Sequence, residues 1–218
     1  MSNLPYFPVI LDLAKFRILV IGGGKVGSKR AIKFHNYNAN VTVVSENFSE
    51  DLLNSPIEKI EMSAENLSED FLRKFEIIIT ATNNKELNSK LCDMAKNLGK
   101  LCNNPTNPED SNFIVPIFYS DNSYEIAVTT YGKSSLVSEF ILNEILDYLS
   151  ERKDFVNMLT NAMAKVKEIA KEKINDPSIR FTLYYKIFYD KLFSNFLINK
   201  KYDEAISRAE EIINEYTK

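Results

Sequence analysis

Apolar residues along this chain follow two rhythms, and the rhythm changes near residue 112. In the first part, short runs of consecutive branched or aromatic side chains alternate with longer mixed stretches. Residues 16–21 (FRILVI) and Val41–Val44 (VTVV) read as strands, Ile57–Met62 as another, and Ile77–Ala81 as a further buried one. Lys100–Asn103 leads into a fifth. Between them, Gly27, Ala31, Phe34 and Asn38 lie on one helical face, and helix-start signals gather around Ser49. Leu87, Leu91, Met94 and Leu98 step by four, three and four residues, which is an amphipathic helix. Gly99 stands where a left-handed C-cap would end it. Strands alternating with helices predict a parallel sheet covered on both faces.

Beyond residue 112 two β-prone runs, Phe113–Tyr119 and Tyr124–Thr130, flank Ser120-Asp121-Asn122-Ser123, a hairpin signal. Nearly everything from Ser134 onward has helical periodicity, with a clear break at Asn175-Asp176-Pro177-Ser178 and a softer one near Asn199–Tyr202. Ser134 or Ser135 suits a helix N-cap. Phe181, Tyr184, Tyr185, Phe188, Tyr189, Phe193 and Phe196 recur at helical spacing, as a core stripe or a subunit seam does. The expected architecture is an α/β chain with three parts. Residues 1–112 form a Rossmann-type parallel-sheet domain, 113–150 a hairpin and helix, and 151–218 a helical C-terminal domain.

Composition narrows the function classes. With 218 residues, 44% hydrophobic and 26% charged, the chain can bury a core unaided. A net charge of −3 argues against a general nucleic-acid binder. No apolar run approaches the length of about eighteen residues that a membrane span needs. The start, MSNLPYFPVILDL, lacks the basic segment and cleavage site of a secretory signal, so a cytoplasmic location is expected. One histidine and two cysteines make a built-in metal site unexpected. Cys92 and Cys102 read as small core residues, and His35 as an ordinary helical residue.

Only six glycines occur, and four of them are Gly22, Gly23, Gly24 and Gly27. Gly22-x-Gly24-x-x-Gly27 follows a predicted strand and opens a predicted helix, the context of a dinucleotide site. Gly22 would permit the tight turn, Gly24 the approach of a pyrophosphate, and Gly27 close helix–strand packing. The helix N-terminus would face the phosphates with free N–H groups. An acidic residue is expected at the end of the second strand to hold the ribose hydroxyls. Glu46 either serves there or is a solvated loop residue. With no arginine nearby to take a 2′-phosphate, NAD is expected over NADP.

The segments LPYFPVILDL, ILVIGGGKVGSKRAIKF, VTVVSENF, TATNNKELN, CNNPTNPEDSNFIVP and AVTTYGKSS follow one another as in the siroheme synthase dehydrogenase module. The chain thus resembles the precorrin-2 dehydrogenase family, some members of which are also sirohydrochlorin ferrochelatases. The resemblance covers residues 1–150 well and the helical remainder more loosely. It implies NAD-dependent oxidation of precorrin-2 to sirohydrochlorin in siroheme biosynthesis, with Fe2+ insertion in some members, and a homodimer built on the hairpin and following helices. Carried over by position, the cofactor residues are Gly22, Gly23, Gly24, Lys25 and Val26, then Ser45, Glu46 and Asn47, then the 80–83 turn with Thr82 and Asn83. Lys25, Lys29, Arg30 and Lys133 could give a polycarboxylate tetrapyrrole local positive charge. The family's catalytic aspartate falls on Thr106, and a threonine hydroxyl accepts no proton near neutral pH without a separate base. Thr106 is then a rigid turn residue, a polar contact or a catalytic group, and Asp110 is the candidate substitute base. The competing class is a non-catalytic carrier or regulator that binds a nucleotide or tetrapyrrole.

Overall fold

The computed structural model describes residues 6–216. The chain divides into two compact units, Met1–Val115 and Pro116–Lys218.

The first unit runs β1 (Arg17–Gly23), α1 (Lys25–Asn36), β2 (Asn40–Phe48), α2 (Glu50–Leu53), β3 (Glu58–Glu61), α3 (Glu69–Leu72), β4 (Ile77–Thr80), α4 (Lys85–Asn97) and β5 (Leu101–Asn103). Single 3-10 turns occupy Leu13–Lys15, Ala64–Asn66 and Pro108–Asp110. The five strands pair in parallel in the order β3-β2-β1-β4-β5. After β1 the chain moves outward to β2 and β3, then returns to lay β4 on the other side of β1. The strand order therefore reverses between β1 and β4, and open α/β sheets bind ligands at the carboxyl edge of such a point.

Strand alternation explains the two-sided burial. Ile18, Val20, Val41, Val43, Ile77 and Ile79 share a core with Ala31 and Phe34 of α1. Leu19, Ile21 and Ile78 point the other way, into a core with Leu91, Cys92 and Ala95 of α4. Successive residues facing opposite sides make β1 and β4 read as unbroken apolar runs. Asn84 caps α4 by accepting from the Leu87 N–H at 3.0 Å, and Gly99 with φ +71° ends the helix as the sequence suggests.

One expectation needs correcting. Cys92 and Cys102 are fully buried, as small core residues are, but they are not separate thiols. They form a disulfide with a Cα–Cα distance of 5.6 Å that ties α4 to β5. The turn between those elements returns the chain directly alongside α4, a proximity that their separation of 10 residues does not announce.

The second unit begins with an antiparallel hairpin, β6 (Ile117–Ser120) and β7 (Glu125–Val128). Asp121 closes its turn, one carboxylate oxygen accepting from Ser123 N–H at 2.7 Å and Tyr124 N–H at 3.1 Å. Five helices follow: α5 (Ser135–Ser150), α6 (Lys153–Lys173), α7 (Pro177–Phe188), α8 (Lys191–Ile198) and α9 (Tyr202–Asn214). Ser134 caps α5, and Asp176 with Pro177 opens α7 at the expected break. Two further breaks, at Glu151–Arg152 and Tyr189–Asp190, were not evident in the pattern. At the second, Asp190 accepts from Phe193 N–H at 2.8 Å to start α8 and also binds Arg208 of α9 at 3.0 Å. The aromatic stripe divides. Phe193 is fully buried and Tyr184 and Phe196 pack against the helical core, whereas Phe181, Tyr185, Phe188 and Tyr189 are exposed. No helix among the described residues is long and apolar enough to cross a membrane.

Candidate functional site

At the carboxyl edge of the parallel sheet a cleft of about 490 Å3 opens beside the β1–α1 turn. Its floor is Gly22–Gly24. One wall is Val44–Ser49 at the end of β2, another Ala81–Asn84 after β4, and Ser63–Glu65 closes the side near β3.

Sequence dictates the floor. Gly22 has φ +114°, and a Cβ there would strike the Ala81 carbonyl, so only glycine lets β1 turn against the chain leaving β4. A Cβ on Gly27 would collide with the carbonyl of Gly22, so α1 begins in backbone contact with the turn. Gly24 is different. A Cβ there would meet no atom within 4 Å, so nothing in the fold fills the space beside it. Gly24 is also the N-cap of α1 and offers no capping side chain, which leaves the first N–H groups of the helix for a ligand. Ser49 Oγ, in the same cleft, is buried and has no hydrogen-bond partner among the described residues. An open glycine, uncapped amides and an orphaned hydroxyl suit the pyrophosphate of a dinucleotide.

β2 shapes one wall of the cleft. Ile21 pairs with Val44 and Gly23 with Phe48, so one residue of β1 faces three of β2. Ser45, Glu46 and Asn47 bulge out of the ladder into the cleft wall. Glu46 is exposed, and Glu65 lies in the same lining; the lining residues include no lysine or arginine. A lining with two carboxylates and no lysine or arginine could accept the hydroxyls of a ribose and would disfavour a phosphate there.

On the β4 side, Thr82 is held tightly. Its N–H and Oγ1 both donate to Asn88 Oδ1, at 3.0 and 2.7 Å, and its carbonyl accepts from Asn88 Nδ2 at 3.0 Å. The same Asn88 Nδ2 donates to Thr106 Oγ1 at 3.3 Å. Thr106 Oγ1 in turn donates to Asn104 Oδ1 at 2.6 Å, which also accepts the Thr106 and Asn107 N–H groups at 3.1 and 3.2 Å. Asn104 Nδ2 then donates to Asp110 Oδ2 at 2.8 Å, alongside Ser89 Oγ at 2.6 Å, and Asn107 Nδ2 donates to Asp110 Oδ1 at 3.0 Å. These donors, Ser89 first, hold the Asp110 carboxyl below its ordinary range. A carboxylate so held stays ionised and is a weaker proton acceptor.

Against this geometry, a family model described as "Putative NAD(P)-binding" matches residues 9–117. A "Putative precorrin-2 dehydrogenase" of Methanocaldococcus jannaschii is 30% identical over 195 residues, 85% of this chain and 91% of that protein. The chain belongs to the precorrin-2 dehydrogenase family. Its first unit is the NAD(P)-binding domain of that family of oxidoreductases. A siroheme synthase of Psychromonas ingrahamii is 24% identical over 213 residues, 97% of this chain but 44% of that protein. The chain thus spans less than half the length of this longer relative. A solved structure, "SirC, precorrin-2 dehydrogenase", superposes with a TM-score of 0.67 at 22% identity, over 94% of this chain and all of that one, which establishes the fold.

Of the residues singled out from the family pattern, Gly22, Gly23, Gly24, Ser45, Glu46, Asn47, Thr82 and Asn83 line one cleft. Lys25 and Val26 are exposed in the first turn of α1, outside that lining. Thr106 and Asp110 do not line it either; they sit in the loop after β5, joined to it through Asn88. Sequence reasoning missed Asn88, Asn104, Ser89 and the Ser63–Glu65 wall. Asn88 did leave a signal. It falls three and four residues before Leu91 and Cys92, a polar residue on the buried face of α4.

Proposed function

We propose that the protein oxidises precorrin-2 to sirohydrochlorin with NAD+ as the acceptor, producing NADH and one proton. The observation that carries this reading is the cleft itself. An open glycine turn, an acidic ribose wall free of cations among its lining residues, and the Thr82 turn meet at the switch point of the sheet in a member of this family. When bound there, NAD+ supplies a hydride acceptor. The protein's own part is to hold and aim it. Gly22–Gly24 and the first turn of α1, with Lys25 and Val26, receive the pyrophosphate. Ser45, Glu46 and Asn47 hold the ribose and set the preference for NAD, and Thr82 and Asn83 border the nicotinamide end.

The proton needs no protein base in this reading. Thr106 has committed its hydroxyl hydrogen to Asn104, so it serves as a polar contact, and the proton leaves to water or to a substrate carboxylate. Asp110, ionised and triply hydrogen-bonded, anchors the loop that carries Thr106. Nothing among the described residues favours insertion of Fe2+, so the reading is confined to the oxidation.

We further propose a homodimer. Leu136, Phe140 and Tyr148 on α5 are 75%, 62% and 67% exposed, with Val137 and Ile141 beside them, an apolar stripe that a second subunit would cover. A cytoplasmic location goes with the proposed pathway. The test is anaerobic incubation with fresh precorrin-2. NADH and the sirohydrochlorin spectrum should appear only with NAD+, and Thr106→Asp should show whether a carboxylate at that position speeds the reaction. Binding of nucleotide and tetrapyrrole without any NADH would instead support the carrier reading.

A further inference from the structure

Asn88 has no assigned role, yet its surroundings are demanding. It is fully buried on α4, where an unsatisfied amide would be costly. An asparagine side chain can accept two hydrogen bonds and donate two. All four are made: two accepted from the Thr82 N–H and hydroxyl, and two donated, to the Thr82 carbonyl and to Thr106 Oγ1. The orientation of the amide is forced. The Thr82 N–H can only donate, so Oδ1 must face it, and the Thr82 carbonyl can only accept, so Nδ2 must face that. The remaining donor is thereby aimed at Thr106. Receiving that bond, the Thr106 hydroxyl turns its own hydrogen to Asn104, whose Nδ2 reaches Asp110. Ser89, the next residue on α4, grips the same carboxylate.

We propose that Asn88 is a positioning residue that couples the cofactor turn at Thr82 to the Thr106 loop, so that each sets the geometry of the other. The inference rests on the reading of the cleft as a dinucleotide site. It does not depend on which tetrapyrrole is oxidised. Its physical content is that a change at Thr106, outside the cleft lining, is felt by the bound dinucleotide through one amide.

Titration with NADH, followed by its fluorescence, tests this in the full chain. Thr106→Val removes the hydroxyl while keeping the shape. It should weaken NADH binding roughly threefold to tenfold, the size of one ordinary hydrogen bond. Thr106→Ser, which keeps the hydroxyl, should bind like the parent. Asn88→Ala should weaken binding more, and Asn88→Ala with Thr106→Val should bind no worse than Asn88→Ala alone, because the path is already cut. An unchanged dissociation constant in Thr106→Val, or equal losses in the Val and Ser variants, overturns the coupling. So does a double variant whose losses multiply. If Asn88→Ala does not fold, the Val and Ser pair decides alone. Parent protein that binds NADH but oxidises no precorrin-2 would sink the proposed reaction and leave the coupling standing. Parent protein that binds no NADH would sink both.

Discussion

Replacing Cys92 and Cys102 together by alanine should destabilise the first unit without unfolding it at room temperature. The bridge joins residues 10 apart in sequence, α4 to β5. Closing a loop of that size in the unfolded chain corresponds to about 3 kcal/mol on the chain-entropy account. For a unit spanning Met1–Val115, an unfolding entropy of roughly 2.1 cal/mol/K per residue turns this into a fall in Tm of about 12 °C. The effect should be concentrated where the bridge sits. Cys92 Sγ lies 3.6 Å from the Asp110 carbonyl oxygen, so the loop carrying Thr106 rests on the bridged segment. Thermal unfolding followed by circular dichroism, with and without dithiothreitol, gives the magnitude. Hydrogen exchange of peptides covering residues 92–111 gives the location. Reduction and double substitution should agree, and thiol titration of the unreduced denatured protein should find no free thiol. A Tm unchanged by either treatment, or two thiols titrating before reduction, would refute the reasoning.

Three further outcomes are expected. Gly22→Ala should abolish NADH binding measured by fluorescence, because its Cβ meets the Ala81 carbonyl and its φ of +114° disfavours any side chain. Phe140→Glu, on the exposed stripe of α5, should shift the molar mass in light scattering from dimer to monomer while leaving the thermal transition of the first unit in place. Arg17 holds the Glu76 carboxyl at about 2, chiefly through their side-chain hydrogen bond. The folded value lies below the unfolded one, so this contribution is complete above the ordinary glutamate range and is lost as pH falls toward 2. Urea titrations should show Glu76→Gln flattening the loss of stability across that acid window; parallel curves for the two proteins would contradict it.

The parallel sheet was legible because its central strands β1 and β4 are apolar and separated by helical rhythm, and because Gly22, Gly24 and Gly27 can be read one by one for what they permit. The cleft floor followed from the same pattern, whereas the bulge did not: the apolar run stops at Val44, and β2 continues through Ser45–Asn47 to Phe48. The helical unit was read less finely. Its breaks at Glu151–Arg152 and Tyr189–Asp190 carry neither proline nor glycine, and Asp190 ends one helix and starts the next through hydrogen bonds that only the fold reveals. The disulfide was hidden for a similar reason, since pairing depends on how α4 turns into β5. The hydrogen-bond path from Thr82 to Asp110 runs through side chains from three separate segments. Each is unremarkable alone, and only packing brings Asn88 between Thr82 and Thr106.

The central claim is that the cleft holds NAD+ for oxidation of a reduced tetrapyrrole, and one anaerobic mixture tests it most directly. Purified protein, precorrin-2 and NAD+ would be combined, and NADH and sirohydrochlorin measured together over time. Equal amounts of the two, formed at matching rates and much faster with NAD+ than with NADP+, are the predicted result. Sirohydrochlorin formed without NADH, or neither product despite demonstrated binding of both ligands, would contradict it.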